Sequence, residues 1–509
     1  MNTRFSKAIL FSILIVAVAA VPSLAQPAPL QGFDEYAEKA MNDWKVPGMA
    51  IAVIKDDKIV FARGYGVREL GKPDKVGEHT LFAIGSSSKA FTSASLAMLM
   101  DEGKLKWDDR ATQYLPGFEL YDPWVTREVT IRDLLTHRVG LERGDLLWYG
   151  SAYDRDEVIR RIRFLEPSSS MRSKFGYQNV MYLAAGQIGA HVYGKSWDEL
   201  VRERIFDPLG MKETSTTIRD LAKSNDVATP HAEIDGKVEK VTWRLIDNIA
   251  PAGSINSNVV DMAQWVRLQL GKGKYGDKQL ISERAVKEMQ SPQTVIRLEG
   301  QMGLLYPKAH FLNYGMGWFL SDYRGRKLVE HGGAIDGMRA EVAMIPEENV
   351  GIVVLTNMNG SILPHLLAYR VFDAYLGAEP EDWSANVLKR FTMLMEAAKK
   401  AQEKAESERV KGTSPSLALD KYAGKYTSEM YGDAIVSLKD GVLTAEYGPA
   451  FKGKMEHWNY DTFRATWDSL ILGKGFVTFT LNPKGDVATM DIQGLATFDR
   501  VPEKKGGAK

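Results

Sequence analysis

Leu81-Phe82-Ala83-Ile84-Gly85-Ser86-Ser87-Ser88-Lys89-Ala90-Phe91-Thr92 is the stretch on which the reading of the whole chain turns. Four apolar residues lead to Gly85, and helical spacing then runs through Leu96, Leu99 and Met100 to Gly103, a glycine suited to a C-cap. Residues three apart on a helix share one face, with about 5–6 Å between their Cβ atoms. The Ser86 hydroxyl is therefore within one side chain's reach of the Lys89 amine. A lysine can take a proton from serine only if its pKa falls from about 10.4 toward neutrality, at a cost of about 4 kcal/mol to its charged form. The positive end of a helix dipole and burial both act in that direction. Ser-x-x-Lys occurs once in the chain, and Gly-x-Ser-x-Gly does not occur. By itself the motif also fits a helix cap at Ser86 followed by a solvated Lys89.

Two further patterns are equally rare. Tyr177-Gln178-Asn179 is the only Tyr-x-Asn in the chain, and it precedes Met181 to Gly189, a small and apolar run that reads as a buried helix. A tyrosine phenol can relay a proton between nucleophile and leaving group, and an amide can hold a substrate carbonyl and a lysine. A turn with a packed aromatic is the other reading. His331-Gly332-Gly333 is the only His-x-Gly, inside a strand-like run that starts at Lys327. Paired glycines in a strand point to close approach by another backbone, as when a substrate lies along a sheet edge. A bulge with a surface histidine fits as well.

Around these motifs the chain alternates between helix and strand signals. Phe33 to Trp44 has helical spacing, Met49–Ile54 and Ile59–Ala62 read as a hairpin, and Val259 to Leu270 as a helix. Glu341–Ile345 and Val350–Thr356 read as adjacent strands. Strands near both ends with helices between them imply an α/β layered domain over residues 26–380, its two ends meeting in one sheet. After Gly377, residues Val387, Leu388, Phe391, Leu394, Met395 and Ala398 share a helical face, and Lys399 to Lys411 is mostly charge and alanine. Residues 381–415 thus read as a helical linker. Beyond Pro415 short alternating runs imply a small all-β domain over 416–502, with a tail at 503–509.

Length and composition narrow the function classes. The 509 residues suit two or three domains, and 65 Lys plus Arg against 65 Asp plus Glu give no electrostatic case for nucleic acid. Cysteine is absent, which excludes disulfides, thiolate metal sites, a catalytic thiol and an acylated-cysteine anchor. Arg4, Lys7, the apolar run Ala8 to Val21 and Ser23-Leu24-Ala25 read as a signal peptide over residues 1–25, with an uncleaved anchor as the alternative. The expected address is a bacterial periplasm or exterior, free of the membrane after cleavage. His79, His191 and His365 show no metal-ligand spacing and are expected to be structural.

In combination, Ser86-x-x-Lys89, Tyr177-x-Asn179 and His331-Gly332-Gly333 resemble the three active-site motifs of the serine β-lactamase and penicillin-binding-protein superfamily, in its class C-like branch of esterases and D-amino-acid peptidases. Leu134-Leu135-Thr136-His137, Pro208-Leu209-Gly210-Met211, Pro251-Ala252-Gly253 and Tyr314-Gly315-Met316-Gly317-Trp318 add to the resemblance, which covers Phe33 to Gly377. It implies a mixed sheet flanked by helices, an inserted helical subdomain, and a site between the two. Tyr422-Ala423-Gly424-Lys425-Tyr426 resembles the lipocalin-like β-barrel often appended to this branch.

By the same resemblance Ser86 is acylated, Lys89 deprotonates it, and Tyr177 passes the proton on and later helps activate water. Asn179, His331, Gly332 and Gly333 bind substrate, and the amides of Ser86 and Ala334 form the oxyanion hole. No metal or organic cofactor is implied. Two departures stand out. His331 replaces the lysine typical of penicillin-recognising members, and a mostly neutral histidine suits a substrate carboxylate less well. Arg138-Val139-Gly140 replaces Thr-Ser-Gly, and His137 beside it is expected to be packed, not catalytic. The expectation is an exported serine hydrolase of small esters or short peptides. A β-lactamase or D,D-carboxypeptidase is the first alternative, and a non-catalytic protein with an apolar ligand in its barrel the second.

Overall fold

The computed structural model describes residues 28–141 and 143–502; the expected signal peptide and the 503–509 tail lie outside them. Helix α1 (Phe33–Asp43) buries Phe33, Ala37, Ala40 and Met41 along one face. The hairpin follows as β1 (Gly48–Lys55) and β2 (Lys58–Gly66). Residues between β2 and the next sheet strand supply the inserted helices α2 (Ser88–Asp101), α3 (Ile131–Leu135), α4 (Asn179–Tyr193) and α5 (Val259–Leu270). The sheet resumes with β3 (Thr294–Ile296), β4 (Leu312–Tyr314), β5 (Phe319–Tyr323), β6 (Arg326–Ile335), β7 (Met338–Ile345) and β8 (Val350–Thr356). Two longer helices follow the sheet, α6 (Leu363–Tyr375) and α7 (Trp383–Ser407).

The strand order is β2-β1-β8-β7-β6-β5-β4-β3. Met49 faces Thr356 and Lys55 faces Val350, so the two ends of the domain meet in one sheet as the sequence implied. The expected mixed sheet is corrected: all seven ladders are antiparallel. Strands β4 to β8 are joined by short turns, which suit hairpins, whereas a parallel pair needs a crossover of a dozen residues or more.

Each sheet face carries its own core. On one side Met49, Ile51 and Val53 pack with α1 and α6; on the other Ala50, Ala52 and Ile54 pack with α2, α4 and α5. Helix α2 is buried from Ser88 to Leu99, and Phe91 stacks on Trp265 at 4.0 Å between ring centroids. Burying such a ring contributes about 1.5–3 kcal/mol, which helps hold the helix that begins beside Ser86.

Helix α7 departs from its expected apolar face. Val387, Leu388 and Phe391 pack on the core, but Leu394 and Met395 are each 56% exposed, because the helix runs out past the domain. Eight antiparallel strands, from Gly424–Ser428 to Ala496–Arg500, then follow one another around a closed barrel. A barrel of this size is just wide enough for side chains or one small ligand. Here Tyr422, Tyr426, Phe463, Phe479 and Phe498 pack together as a core, which removes the support for an apolar ligand in the barrel. The barrel docks through Arg161 Nη1 to the Glu429 carbonyl (2.9 Å), Tyr153 Oη to the Tyr431 carbonyl (2.8 Å) and Tyr447 Oη to the Leu146 carbonyl (3.2 Å). Among the described residues no helix is long and apolar enough to cross a membrane.

Candidate active site

Ser86 lies in a 3-10 turn, Gly85–Ser87, that feeds directly into α2. Gly85 has φ of +50°, and a Cβ there would sit 2.5 Å from the Ala334 amide nitrogen. A glycine is required for the turn to reach β6. The same closeness explains Gly333, whose Cβ would fall 1.8 Å from the Ile84 carbonyl oxygen. The second backbone implied by the paired glycines is thus, at Gly333, the chain's own approach to Ser86.

Lys89 is fully buried, and its Nζ lies 3.1 Å from Ser86 Oγ, 2.7 Å from Asn179 Oδ1 and 2.8 Å from the Ala252 carbonyl oxygen. Burial holds its pKa well below the usual lysine value; the Arg143 charge adds to this and Asp145 opposes it. A neutral amine has two protons and one lone pair. In that form the two carbonyl oxygens, which have no proton to offer, would accept those two and leave the lone pair for the Ser86 hydroxyl. The solvated-lysine reading is therefore excluded.

Tyr177 stands over the pair, with Lys89 Nζ 4.8 Å from its ring centroid and its phenol hydrogen-bonded to Ser86. Burial raises the phenol's pKa, against the effect of that hydrogen bond, so it stays protonated at neutral pH. Asn179 begins α4 and is committed at both ends: Oδ1 accepts from Lys89, and Nδ2 donates to Asp145 Oδ1 at 2.8 Å. Of the two roles read for this amide, holding a substrate carbonyl and holding a lysine, the second is the one made in this structure.

His331 is 2% exposed, which rules out a surface histidine. Its Nδ1 donates to the Gly332 carbonyl (2.7 Å), and its Nε2 accepts from Tyr314 Oη (3.0 Å). Burial, reinforced by Lys89 and opposed by the Gly332 bond, brings its pKa to about 3, so the ring is neutral. His137 is packed as expected, 4.3 Å from the Tyr177 ring centroid, and its Nδ1 accepts from the Gln178 amide at 3.1 Å. It fixes the backbone beside Tyr177.

Ser86, Tyr177, Asn179, His331, Gly332, Gly333 and Ala334 all line one cavity of about 360 Å³. The sequence reading missed Arg143 and Asp145. Arg143 ion-pairs with Asp145, and its guanidinium lies 5.0 Å from the Tyr177 ring centroid. It also missed Glu341 and Arg339, which line the same cavity from β7, and His365 of α6, expected to be structural, lines it with them. The cross-strand register that pairs Gly332 with Glu341 was the available signal.

The chain resembles known proteins over most of its length. The Beta-lactamase family model matches residues 33–375, and a domain of unknown function, DUF3471, matches 408–505. An Aspergillus violaceofuscus protein named Unguisins hydrolase ungD is 30% identical over 498 residues, 90% of this chain and 87% of that one. Protein flp of Staphylococcus aureus is 26% identical over 347 residues, 67% of this chain and 65% of its own. Among solved structures, a penicillin-binding protein homologue from Pyrococcus abyssi covers 92% of this chain and 100% of its own, with a TM-score of 0.62 at 22% identity. That likeness shows the fold. Since the matched span runs from α1 to α6 and contains every side chain placed around Ser86, the chain belongs to the beta-lactamase family.

Proposed function

We propose that this protein is an exported serine hydrolase that cleaves small ester or amide bonds, including those of short D-amino-acid peptides, through an acyl-serine. The observation that carries the reading is the buried Lys89 amine, its Nζ 3.1 Å from Ser86 Oγ and held by the Asn179 and Ala252 carbonyl oxygens, where burial lowers its pKa and favours the neutral base. Ser86 Oγ gives its proton to Lys89 Nζ as it attacks the substrate carbonyl. The developing oxyanion is met by the Ser86 and Ala334 amides, which flank the cavity. Tyr177 passes the proton to the leaving group, and water then releases the acyl group by the reverse relay. A relative named as a hydrolase supports the reaction class. The apolar, neutral His331 environment favours esters and peptides over β-lactams, whose carboxylate a fixed ammonium serves better.

Export rests on residues 1–25, and a cleaved N-terminus at Gln26 in protein from a bacterial periplasm would support it. For the chemistry, a fluorophosphonate probe should label the wild type and not Ser86→Ala, with intact mass showing one adduct. Nitrophenyl esters and D-alanyl anilides should turn over faster than a chromogenic cephalosporin. The opposite order would make the protein a β-lactamase or D,D-carboxypeptidase, and no labelling would leave a binding protein.

A further inference from the structure

We propose that Glu330, Glu341 and His365 form a divalent-cation site, of zinc or manganese type, at the end of the active-site cavity and across β6 from Ser86. Side chains alternate along a strand. His331 and Gly333 face Tyr314 and Ile84 on the nucleophile side, whereas Glu330 and Gly332 face the opposite side, where Glu341 lies beside Gly332. Pairing between β5 and β6 ends at Phe319 and Glu330, so the β6 edge beyond it is free of β5. The cavity passes around that edge at Gly332, which lines it together with Ser86, Glu341 and His365.

The three side chains are buried, and their ligand atoms lie within 4.8 Å of one another. His365 Nδ1 is 3.6 Å from Glu330 Oε2 and 3.7 Å from Glu341 Oε2, beyond hydrogen-bond length. A point in their plane equidistant from all three atoms is about 2.4 Å or less from each. That matches metal–ligand bonds and is well short of the separation an alkylammonium nitrogen keeps from oxygen. Glu330 is 1% exposed, neither of its oxygens makes a well-formed hydrogen bond although the Tyr306 hydroxyl is near, and Oε1 of Glu341 lacks a partner as well. Buried polar atoms of this kind call for an explanation.

His365 is oriented as a ligand. Its Nε2 donates to the Leu305 carbonyl at 3.0 Å, which turns Nδ1 toward the carboxylates, and metal-bound histidines are commonly fixed through their other ring nitrogen in this way. Tyr306 and Tyr369 close around it, with ring centroids 5.5 and 4.5 Å from the imidazole. One imidazole and two carboxylates balance a dication, and this mixed nitrogen–oxygen donor set suits zinc or manganese. Three protein ligands would leave the ion a coordination position open toward the cavity at Gly332, and an oxyanion such as a carboxylate is the ligand class that would fill it.

The full chain, free of an affinity tag and stripped with a chelator, is titrated with zinc chloride or manganese chloride by calorimetry. One saturable site per chain is expected, at micromolar affinity or tighter, accompanied by a rise in the wild type's melting temperature. Glu341→Gln and Glu330→Gln should each weaken binding at least 100-fold with circular dichroism retained, and Glu330→Gln, at a residue that does not line the cavity, should also keep fluorophosphonate labelling at Ser86. Absence of saturable binding by either ion in the wild type overturns the proposal, as does equal affinity in the variants. Butylamine binding that is lost in the same variants, without metal binding, would reassign the cluster as an ammonium subsite. The readout needs no turnover, so the outcome is independent of the acyl-serine reading.

Discussion

Lys89 and His365 are two buried basic side chains on opposite sides of β6, and burial pulls both toward neutrality. Their neighbours send them apart. Lys89 meets neutral carbonyl acceptors and the positive charge of Arg143, and stays low. His365 faces two carboxylates that outweigh its burial and raise its pKa to about 9. On that side burial also pushes Glu330 up, to about 7, with repulsion from Glu341 adding to it and His365 opposing. The comparison shows that burial sets the scale of a shift, while the charge of the facing groups sets its sign.

The most severe way to break this contrast is Lys89→Met, which removes the neutral base and should lower kcat/KM on an ester on the order of 10³-fold. Activity within tenfold of wild type would refute the neutral-base reading. The pH profile sharpens the same point. Because the amine accepts a proton only when neutral, acylation should decline as pH drops through a Lys89 pKa far below 10.5 and stay flat above it. A limb that appears only near pH 10 would mean an ordinary lysine.

The two glycines of β6 separate its faces. Gly333→Ala would drive a Cβ into the Ile84 carbonyl and should cost about 3 kcal/mol or more, with loss of labelling at Ser86. A smaller effect tests the carboxylate side. The folded-state pKa of His365 is raised from 6.5, so its contribution is complete below about pH 6.5 and is lost as pH rises through about 9. In chelator-treated protein, the unfolding free energy from denaturant titration should fall across that window by on the order of 1–3 kcal/mol more in wild type than in His365→Gln. Equal slopes would remove the raised histidine. Gly332→Ala should do least. Its nearest neighbour is the end of the Glu341 side chain at 3.2 Å, and a stability change above about 1 kcal/mol would show a tighter passage than the cavity indicates.

Much of the fold was legible because local signals agreed with one another. The hairpin, α5 and β8 follow from apolar spacing, and α5 has the limits Val259 and Leu270 that the spacing gave. Ser86, Lys89, Tyr177 and Asn179 were legible because each motif is unique in the chain and starts or adjoins a helix. Asp145 was not, since nothing in its own neighbourhood marks it as the partner of an amide 34 residues away. The docking of Tyr447 on Leu146 likewise joins segments that no local pattern relates.

The sequence by itself determined which chemistry is present: one Ser-x-x-Lys, one Tyr-x-Asn, one His-x-Gly, no thiol, and an order that matches a known family. Only the tertiary structure decided the state of those groups. It buried Lys89 against Ser86, which lowers its pKa, tied Asn179 to Lys89 and Asp145, and neutralised His331. It also gathered Glu330, Glu341 and His365 from two strands and a helix. The reason is physical. Residue type fixes what a side chain can donate or accept, but protonation and partnership depend on burial and on groups brought near by packing, which a one-dimensional pattern does not encode.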